Sequence, residues 1–375
     1  QTGRFYLQVG YNELFELGQS AWAGAPYYPS DKIVVEKDNS IVVIDRNGRP
    51  LREGKYDKKK ALNSNPKKQL DVITQYLNKI ADEENIKIRQ LWLEPIPSMI
   101  LLDALMEKYP LPKTSIALNP LIGEYDDPEN QKQDVLRLPL TQEGNVVVYG
   151  AAGSGKTTFI NTMVTSLMKE HTPDEVNIYL LDFASETLRA FESAPHVGDV
   201  IYAHEGEKVS NLFRMLKLEV SNRKKMFADY GGDQASYIRL TGNKVPSIVV
   251  AINNFSAFTE LFEEKEEAVA YLSREGMKYG IYFVLTALSA NSVRFRLLQN
   301  FKQQIALQLN DENDYTMIVG KTGGLVPSKH KGRGLIKLDK VYEFQVAHIT
   351  EEDIPYPFIV NMCNEAQKAW GKPGA

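Results

Sequence analysis

The spacing of apolar residues along this chain changes period several times, and each change marks a different element. The opening Gly3-Arg4-Phe5-Tyr6-Leu7-Gln8-Val9-Gly10 reads as a strand already under way, the tail of a preceding unit that Tyr27-Tyr28-Pro29 closes. Between Lys32 and Arg52, Ile33-Val34-Val35 and Ile41-Val42-Val43-Ile44 flank the turn-forming pairs Asp38-Asn39 and Asn47-Gly48. Leu70, Ile73, Leu77, Ile80 and Ala81 recur at the 3.6 period and predict an amphipathic helix over Gln69–Ile86. A second helical stretch runs from Ser98 to Tyr109, and Pro110, Pro112 and Pro120 make the segment after it extended. From about Gly144 the pattern becomes regular. The apolar runs Val146–Tyr149, Val176–Leu181, Ser247–Ile252, Ile281–Thr286 and Ile305–Leu309 read as buried strands, and helical stretches at Lys156–Lys169, Glu207–Ala228 and Ser256–Lys278 separate the first four. That alternation predicts an α/β domain with a mostly parallel sheet covered on both faces. A hairpin, Gly334–Lys337 with Val341–His348, ends it.

These elements divide the chain into a tail (residues 1–30), a small α/β linker region (31–118), a main domain (119–350) and a C-terminal extension toward a following module (351–375). The Leu51–Gln69 stretch carries seven Lys or Arg against two acids and reads as a solvated linker or, alternatively, a basic patch for a partner. Leu91, Trp92, Leu93, Ile96, Met99, Ile100 and Leu105 concentrate apolar surface in the linker. Packing against the chain's own core is the simplest use for it.

One motif adds chemistry to this frame. Gly150-Ala151-Ala152-Gly153-Ser154-Gly155-Lys156-Thr157 matches G-x-x-x-x-G-K-[ST] at every fixed position, with a predicted strand before it and a predicted helix after it. Glycines allow successive backbone N–H groups to curl toward phosphate oxygens, and the helix opening at Lys156 adds its positive end. Lys156 is placed to reach the outer phosphates, the Thr157 hydroxyl to ligate Mg²⁺, and Thr158 completes the loop. The expected cofactors are ATP and Mg²⁺.

The acids that a P-loop motor needs are harder to find. The strand Ser247–Ile252 ends in Asn253-Asn254, where two carboxylates would hold the magnesium shell and polarise the attacking water. An amide carries no charge and accepts no proton at neutral pH, and loss of a general base costs about 10²–10⁴ in rate. Asp182, after the second strand, is either a stand-in acid or a loop anchor; Glu186 and Glu205 are weaker candidates. Thr286 ends its strand as either a sensor of the terminal phosphate or a buried threonine. Arg294 and Arg296 are either fingers toward a neighbouring subunit or surface arginines.

Composition narrows the class without naming the function. The 375 residues are 43% hydrophobic and 25% charged, enough for a large core without staples. A single cysteine, Cys363, excludes a disulfide framework or a cysteine zinc site and suits a reducing cytosolic setting. There is no apolar run long enough to span a bilayer and no signal-peptide pattern at the start. A net charge of −4 gives no general pull toward nucleic acid.

Taken together, Gly150–Thr157, the Asp182 strand, the Asn253-Asn254 strand and the Thr286 strand resemble the additional-strand class of P-loop ATPases, a RecA/FtsK-like fold. Leu180-Leu181-Asp182-Phe183, Arg223-Lys224-Lys225-Met226 and Gln304-Ile305-Ala306-Leu307-Gln308-Leu309 are similar to landmarks of the FtsK/SpoIIIE family. Gly3–Phe15, Gly332-Arg333-Gly334-Leu335 and Phe344-Gln345 resemble its EssC/EccC branch, the membrane-anchored tandem ATPases of type VII protein secretion. The resemblance implies the tail of a first ATPase module, a linker and a whole second module, in the cytoplasmic region of a membrane-anchored protein. It also implies neighbouring modules of the same polypeptide, secretion machinery, WXG100-type exported proteins and a hexameric assembly as partners, with no nucleic acid. On the same ground, Leu91–Leu105 could dock into a pocket of the preceding module. Two departures bear on turnover: Asn253-Asn254 replace the paired acids, and Ala287-Leu288-Ser289 follow Thr286 where DNA pumps of the family have Gln-Arg-Pro. The expectation is nucleotide binding with weak or no hydrolysis. The alternatives are a competent motor using another acid such as Asp182 and, more remotely, a DNA translocase module.

Overall fold

The computed structural model describes residues 3–10, 14–22, 24–27, 43–49, 67–86, 93–111 and 117–371. The chain forms two compact units, residues 1–90 and 91–375. In the first, β1 (Arg4–Val9) pairs antiparallel with β2 (Leu14–Gln19), and α1 (Gln69–Glu83) occupies the predicted helical stretch. The β-branched runs at 33–35 and 41–42, and most of the basic segment 51–69, lie outside the described residues.

The second unit is built on ten strands that, among the described residues, form one sheet. In chain order its elements are α2 (Leu102–Lys108), β3 (Leu121–Asp127), β4 (Lys132–Arg137), α3 (Leu140–Glu143), β5 (Val146–Tyr149), α4 (Lys156–Glu170), β6 (Val176–Asp182), β7 (Val197–Tyr202), α5 (Gly206–Phe227) and α6 (Gln234–Thr241). They continue as β8 (Ser247–Asn253), α7 (Phe255–Leu261), α8 (Glu266–Glu275), β9 (Ile281–Ala287), α9 (Phe295–Leu298), β10 (Gln303–Leu307), α10 (Glu312–Val319), β11 (Arg333–Lys337), β12 (Val341–Val346) and α11 (Tyr356–Trp370). Strand order is β4-β3-β12-β11-β10-β5-β9-β8-β6-β7. The six strands from β10 to β7 are parallel, and β11, β12, β3 and β4 extend the sheet antiparallel at one edge.

Strand alternation distributes the core to both faces. Val146 and Val148 point to one side with Val249, Ala251 and Val284, where they meet Phe159, Ile160, Met163, Val164 and Leu167 of α4. Val147 and Tyr149 point to the other with Ile248, Val250, Phe283 and Leu285, where α5 covers them with Val209, Leu212, Phe213, Leu216 and Val220. Helix α4 is buried without a break from Phe159 to Met168. Two of its buried polar residues are paired inside the protein: Thr162 Oγ1 donates to the Ala347 carbonyl at 2.6 Å, and Ser166 Oγ accepts from the Leu121 amide at 2.7 Å.

Three departures from the sequence reading have local causes. The predicted helix Ser256–Lys278 breaks after Leu261, because Phe262 turns inward to stack near Phe183 and Phe258, at ring distances of 5.8 and 5.9 Å. Strands β3 and β4 extend the sheet beyond the predicted hairpin. Strand β3 carries acids on buried positions, and Glu124 is held there by Lys108 at 2.5 Å and the Tyr109 hydroxyl at 3.0 Å. At the other edge β7 contains Gly198 and Asp199, which weaken a strand signal; the Tyr179 ring lies over Gly198, where a Cβ would come within 2.5 Å of it.

The apolar linker stretch belongs to the second unit from Leu93 onward. Ile96, Leu102 and Leu105 are buried, Leu101 pairs alongside His348, and Leu102 and Leu105 cluster with Leu121 and Ala347. Leu93 and Met99 stay exposed, and Leu91 and Trp92 lie outside the described residues. Beyond residue 350, α11 seats Ile359 and Cys363 in the α4-side core.

Candidate functional site

Strands β5, β6, β8 and β9 are parallel, so their C-terminal ends meet at one edge, and the predicted site residues converge there. The phosphate loop is anchored on both sides: the Gly150 amide donates to the Ala287 carbonyl at 2.9 Å, and the Ala151 amide to the Gln308 carbonyl at 2.8 Å. Gly153 and Gly155 both take left-handed backbone, φ 78° and 107°. A side chain on Gly155 would also meet the Gly332 backbone nitrogen at 2.7 Å, while the Gly332 amide donates to the Ser154 carbonyl at 2.8 Å. Ser154 is buried, and its hydroxyl has no partner among the described residues.

Helix α4 opens at Lys156. The Lys156 ammonium folds back on the carbonyls of Gly150 and Ala151, at 2.6 and 2.8 Å, and burial lowers its pKa. Thr157 and Thr158 follow, half-buried, on the first turn. Open space around Gly153 and an ammonium resting on loop carbonyls fit a polyphosphate group. For magnesium, the first turn of α4 brings the Thr157 and Thr158 hydroxyls to the cleft. No group of three or more His, Cys, Asp or Glu among the described residues is placed to hold a metal ion.

The opposite wall is a closed hydrogen-bond chain. Asn253 is 1% exposed; its Nδ2 donates to Asp182 Oδ1 at 3.0 Å, and its Oδ1 accepts from Thr286 Oγ1 at 2.9 Å. Thr286 Oγ1 in turn accepts the Asn254 amide at 2.8 Å. Asp182 is also 1% exposed, and its carboxylate takes two further donors, the Ala184 and Leu188 amides, both at 3.1 Å. Asn254 sits at φ 68°, a left-handed conformation that asparagine tolerates better than most residues, and its side chain caps α7 and donates to the Phe183 carbonyl at 3.2 Å.

Between these walls lies a cleft of about 330 Å³, lined by Ala152, Gly153, Gly155, Lys156, Thr157, Thr158, Ala184, Asn253, Asn254, Leu288 and Lys331. Its lining holds two lysines and no carboxylate. Ala184 and Lys331 were not singled out by sequence reasoning, although Lys331 directly precedes the Gly332-Arg333-Gly334 landmark. The remaining candidates fall elsewhere. Glu186 pairs with Arg189 at 3.0 Å, Glu205 with Lys208 at 2.9 Å, and exposed Arg294 with Glu266 at 3.0 Å. Arg296 is exposed. A larger cleft of about 540 Å³ sits at the other end of the strands, near Gly144, Ser247, Met277 and Tyr282, and carries no phosphate loop.

A phosphate loop at the end of β5, with β9 inserted between β5 and β8, defines a P-loop NTPase of the additional-strand class. Residues 115–323 match the FtsK/SpoIIIE family, and the chain belongs to that family. It is 29% identical over 381 residues to the ESX secretion system protein YukB of Bacillus subtilis strain 168, covering 99% of this chain and 24% of YukB. It is 30% identical over 358 residues to the type VII secretion system protein EssC of Staphylococcus aureus strain MRSA252, covering 92% of this chain and 24% of EssC. Among solved structures it resembles Thermomonospora curvata EccC (ATPases 2 and 3) in complex with a signal sequence peptide. That match has a TM-score of 0.67 and 28% identity, and covers 76% of this chain and 55% of the other. The chain therefore spans about a quarter of the length of YukB or EssC. No helix among the described residues is long and apolar enough to cross a membrane.

Proposed function

We propose that this chain is a nucleotide-binding module of a type VII secretion ATPase that holds Mg²⁺-ATP through Gly150–Thr158 and hydrolyses it weakly or not at all. The observation that carries this is the cleft lining, with a full phosphate loop on one side and no carboxylate on the other. In this reading the loop amides and Lys156 bind the phosphates and the Thr157 hydroxyl ligates the magnesium ion. No side chain lining the cleft stands ready to take the proton of an attacking water. Asp182 is the acid bonded into that wall, and its oxygens already accept three hydrogen bonds, which argues against the alternative of a motor driven by it.

The likeness to YukB, EssC and EccC supports a place within a longer polypeptide whose neighbouring modules are its nearest partners, in the cytoplasmic region of a membrane-anchored protein. On the same reading, exported proteins and a hexameric assembly are its further partners. The test is paired: calorimetric titration with ATP and Mg²⁺, and steady-state phosphate release from the same sample. Binding without release above background is expected. Release that depends on Lys156 and disappears in Asp182→Asn would refute the reading and make Asp182 the working acid.

A further inference from the structure

We propose that Arg333 is a positioning residue for the phosphate loop and that the segment Glu94-Pro95-Ile96-Pro97 acts on nucleotide binding through it; this rests on the nucleotide-binding reading above. Proline at 95 and 97 removes two backbone donors from this stretch, and side chains reach its carbonyls instead. Gln133 Nε2 donates to the Glu94 carbonyl at 2.7 Å. Arg333 Nη2 donates to those of Ile96 and Pro97, at 2.7 and 3.2 Å. No residue of the segment lines the cleft.

Arg333 is 4% exposed, and its other donors stay close to the same turn. Nη1 faces Glu343 at 3.7 Å, Nε donates to Gln345 Oε1 at 2.9 Å, and Gln345 Nε2 donates to the Lys331 carbonyl at 2.9 Å. Gly332, between Lys331 and Arg333, gives its amide to the Ser154 carbonyl, with so little room that a Cβ on Gly155 would meet its nitrogen. The start of the loop reaches the same turn. The Ala151 amide donates to the Gln308 carbonyl, and the Gln308 side chain donates to the carbonyls of Ser328 and His330, both at 2.9 Å. With the segment seated, every guanidinium nitrogen has an acceptor. With the segment lifted, a buried charge loses two of them, which is costly enough to move the turn that carries it. A close-packed backbone contact passes that displacement to Ser154 and Gly155. Nucleotide binding and seating of the segment are thus coupled, and the coupling works in both directions.

The experiment is hydrogen–deuterium exchange of the 375-residue chain with and without Mg²⁺-ATP, read by mass spectrometry over residues 98–106, with calorimetric titration of the same samples. In the wild type, ATP should slow exchange over 98–106 severalfold. The slowing should exceed that over α6, which lines the cleft at the other end of the strands and reports general stabilisation. Arg333→Lys keeps the charge but cannot serve Gln345 and the two carbonyls at once. It should bind ATP about fivefold or more weakly, the lower range of coupling between sites, and 98–106 should no longer respond. The bonds of Ile100 and Leu102 to His348 remain in that variant, so a response that survives runs through them and overturns the assignment. Arg223→Lys is the control. Its guanidinium is also buried and donates to the carbonyls of Tyr279 and Pro246, so lost stability alone should leave ATP affinity and the response as in wild type. The wild-type exchange needs no variant and so stands even where Arg333→Lys fails to fold. ATP binding with unchanged exchange over 98–106 overturns this proposal alone. Absence of ATP binding overturns the nucleotide-binding reading and this one with it.

Discussion

The two walls of the nucleotide cleft use the same kinds of polar group in opposite ways. On the β5 side, the space around Gly153 is open and the Lys156 ammonium is held only by loop carbonyls, so hydrogen-bonding capacity is left for a ligand. On the β8 side, Asp182, Asn253, Thr286 and Asn254 turn theirs on one another. A wall that binds must keep some of its bonds unmade until the ligand arrives. A wall that is already satisfied among its own residues has little to offer an attacking water. The contrast also changes how Asn253 is understood. Read from the chain alone it is a missing acid; in place, it is the donor that a buried Asp182 requires.

The largest expected effect tests that donor. In Asn253→Asp the new carboxylate would face Asp182 Oδ1 across the 3.0 Å now bridged by an amide, at a site where both residues are 1% exposed. Two such acids cannot both ionise, so one is driven to hold a proton. We expect a loss of about 3 kcal/mol near neutral pH, the scale of leaving a buried charge uncompensated. The sign follows from linkage: the retained proton stabilises the folded variant at low pH, and that stability is lost as pH rises through the raised pKa. Denaturant melts of variant and wild type across pH check it, and a neutral substitution would break the comparison. The double change Asn253→Asp with Asn254→Glu should therefore recover little hydrolysis, the more so because glutamate fits poorly at the φ of 68° that Asn254 holds.

Next comes the open wall. Lys156→Ala removes a charged donor from the phosphate path, and a hydrogen bond to a charged group contributes about 1.5–3 kcal/mol, or about 10- to 100-fold in ATP affinity. Stability should change little, because the ammonium's partners are loop carbonyls that solvent can reach in its absence. Equal affinity of wild type and variant in a calorimetric titration would show that the two walls do not differ as described.

The smallest effect is a background against which both are read. Burial holds the pKa values of His171, His196 and His348 below the usual histidine range. Each is kept neutral in the folded chain and takes up a proton more readily once unfolded. Their contribution is complete above the ordinary histidine value of about 6.5 and is lost as pH falls from there through the lower folded values. A stability profile that stays flat between pH 7 and pH 5 would contradict this.

The degree to which each wall can be read from sequence follows from its geometry. The phosphate loop is local: eight consecutive residues between a strand and a helix carry its chemistry, and they lie where the pattern puts them. The closed wall is assembled from residues 182, 253, 254 and 286, which the chain names individually but cannot join. Asp182 meets Asn253 only because β6 and β8 are neighbours, and Asn253 meets Thr286 only because β9 inserts beside β8. The same limit hid β3 and β4, whose buried Glu124 looks like a surface residue until Lys108 and Tyr109 are seen beside it.

The contact between Gly155 and Gly332 joins the phosphate loop to the turn that leads into β11, and the Gly332 amide ends on the Ser154 carbonyl. On the neighbouring strand β12, Gln345 donates to the Lys331 carbonyl at 2.9 Å and accepts from Arg333, which also holds the carbonyls of Ile96 and Pro97. The Gly332 amide is thus a gauge mounted outside the cleft. Its exchange with solvent deuterium is slow only while the loop stays closed on it, so a single backbone proton reports how tightly the loop is held without any label on the nucleotide.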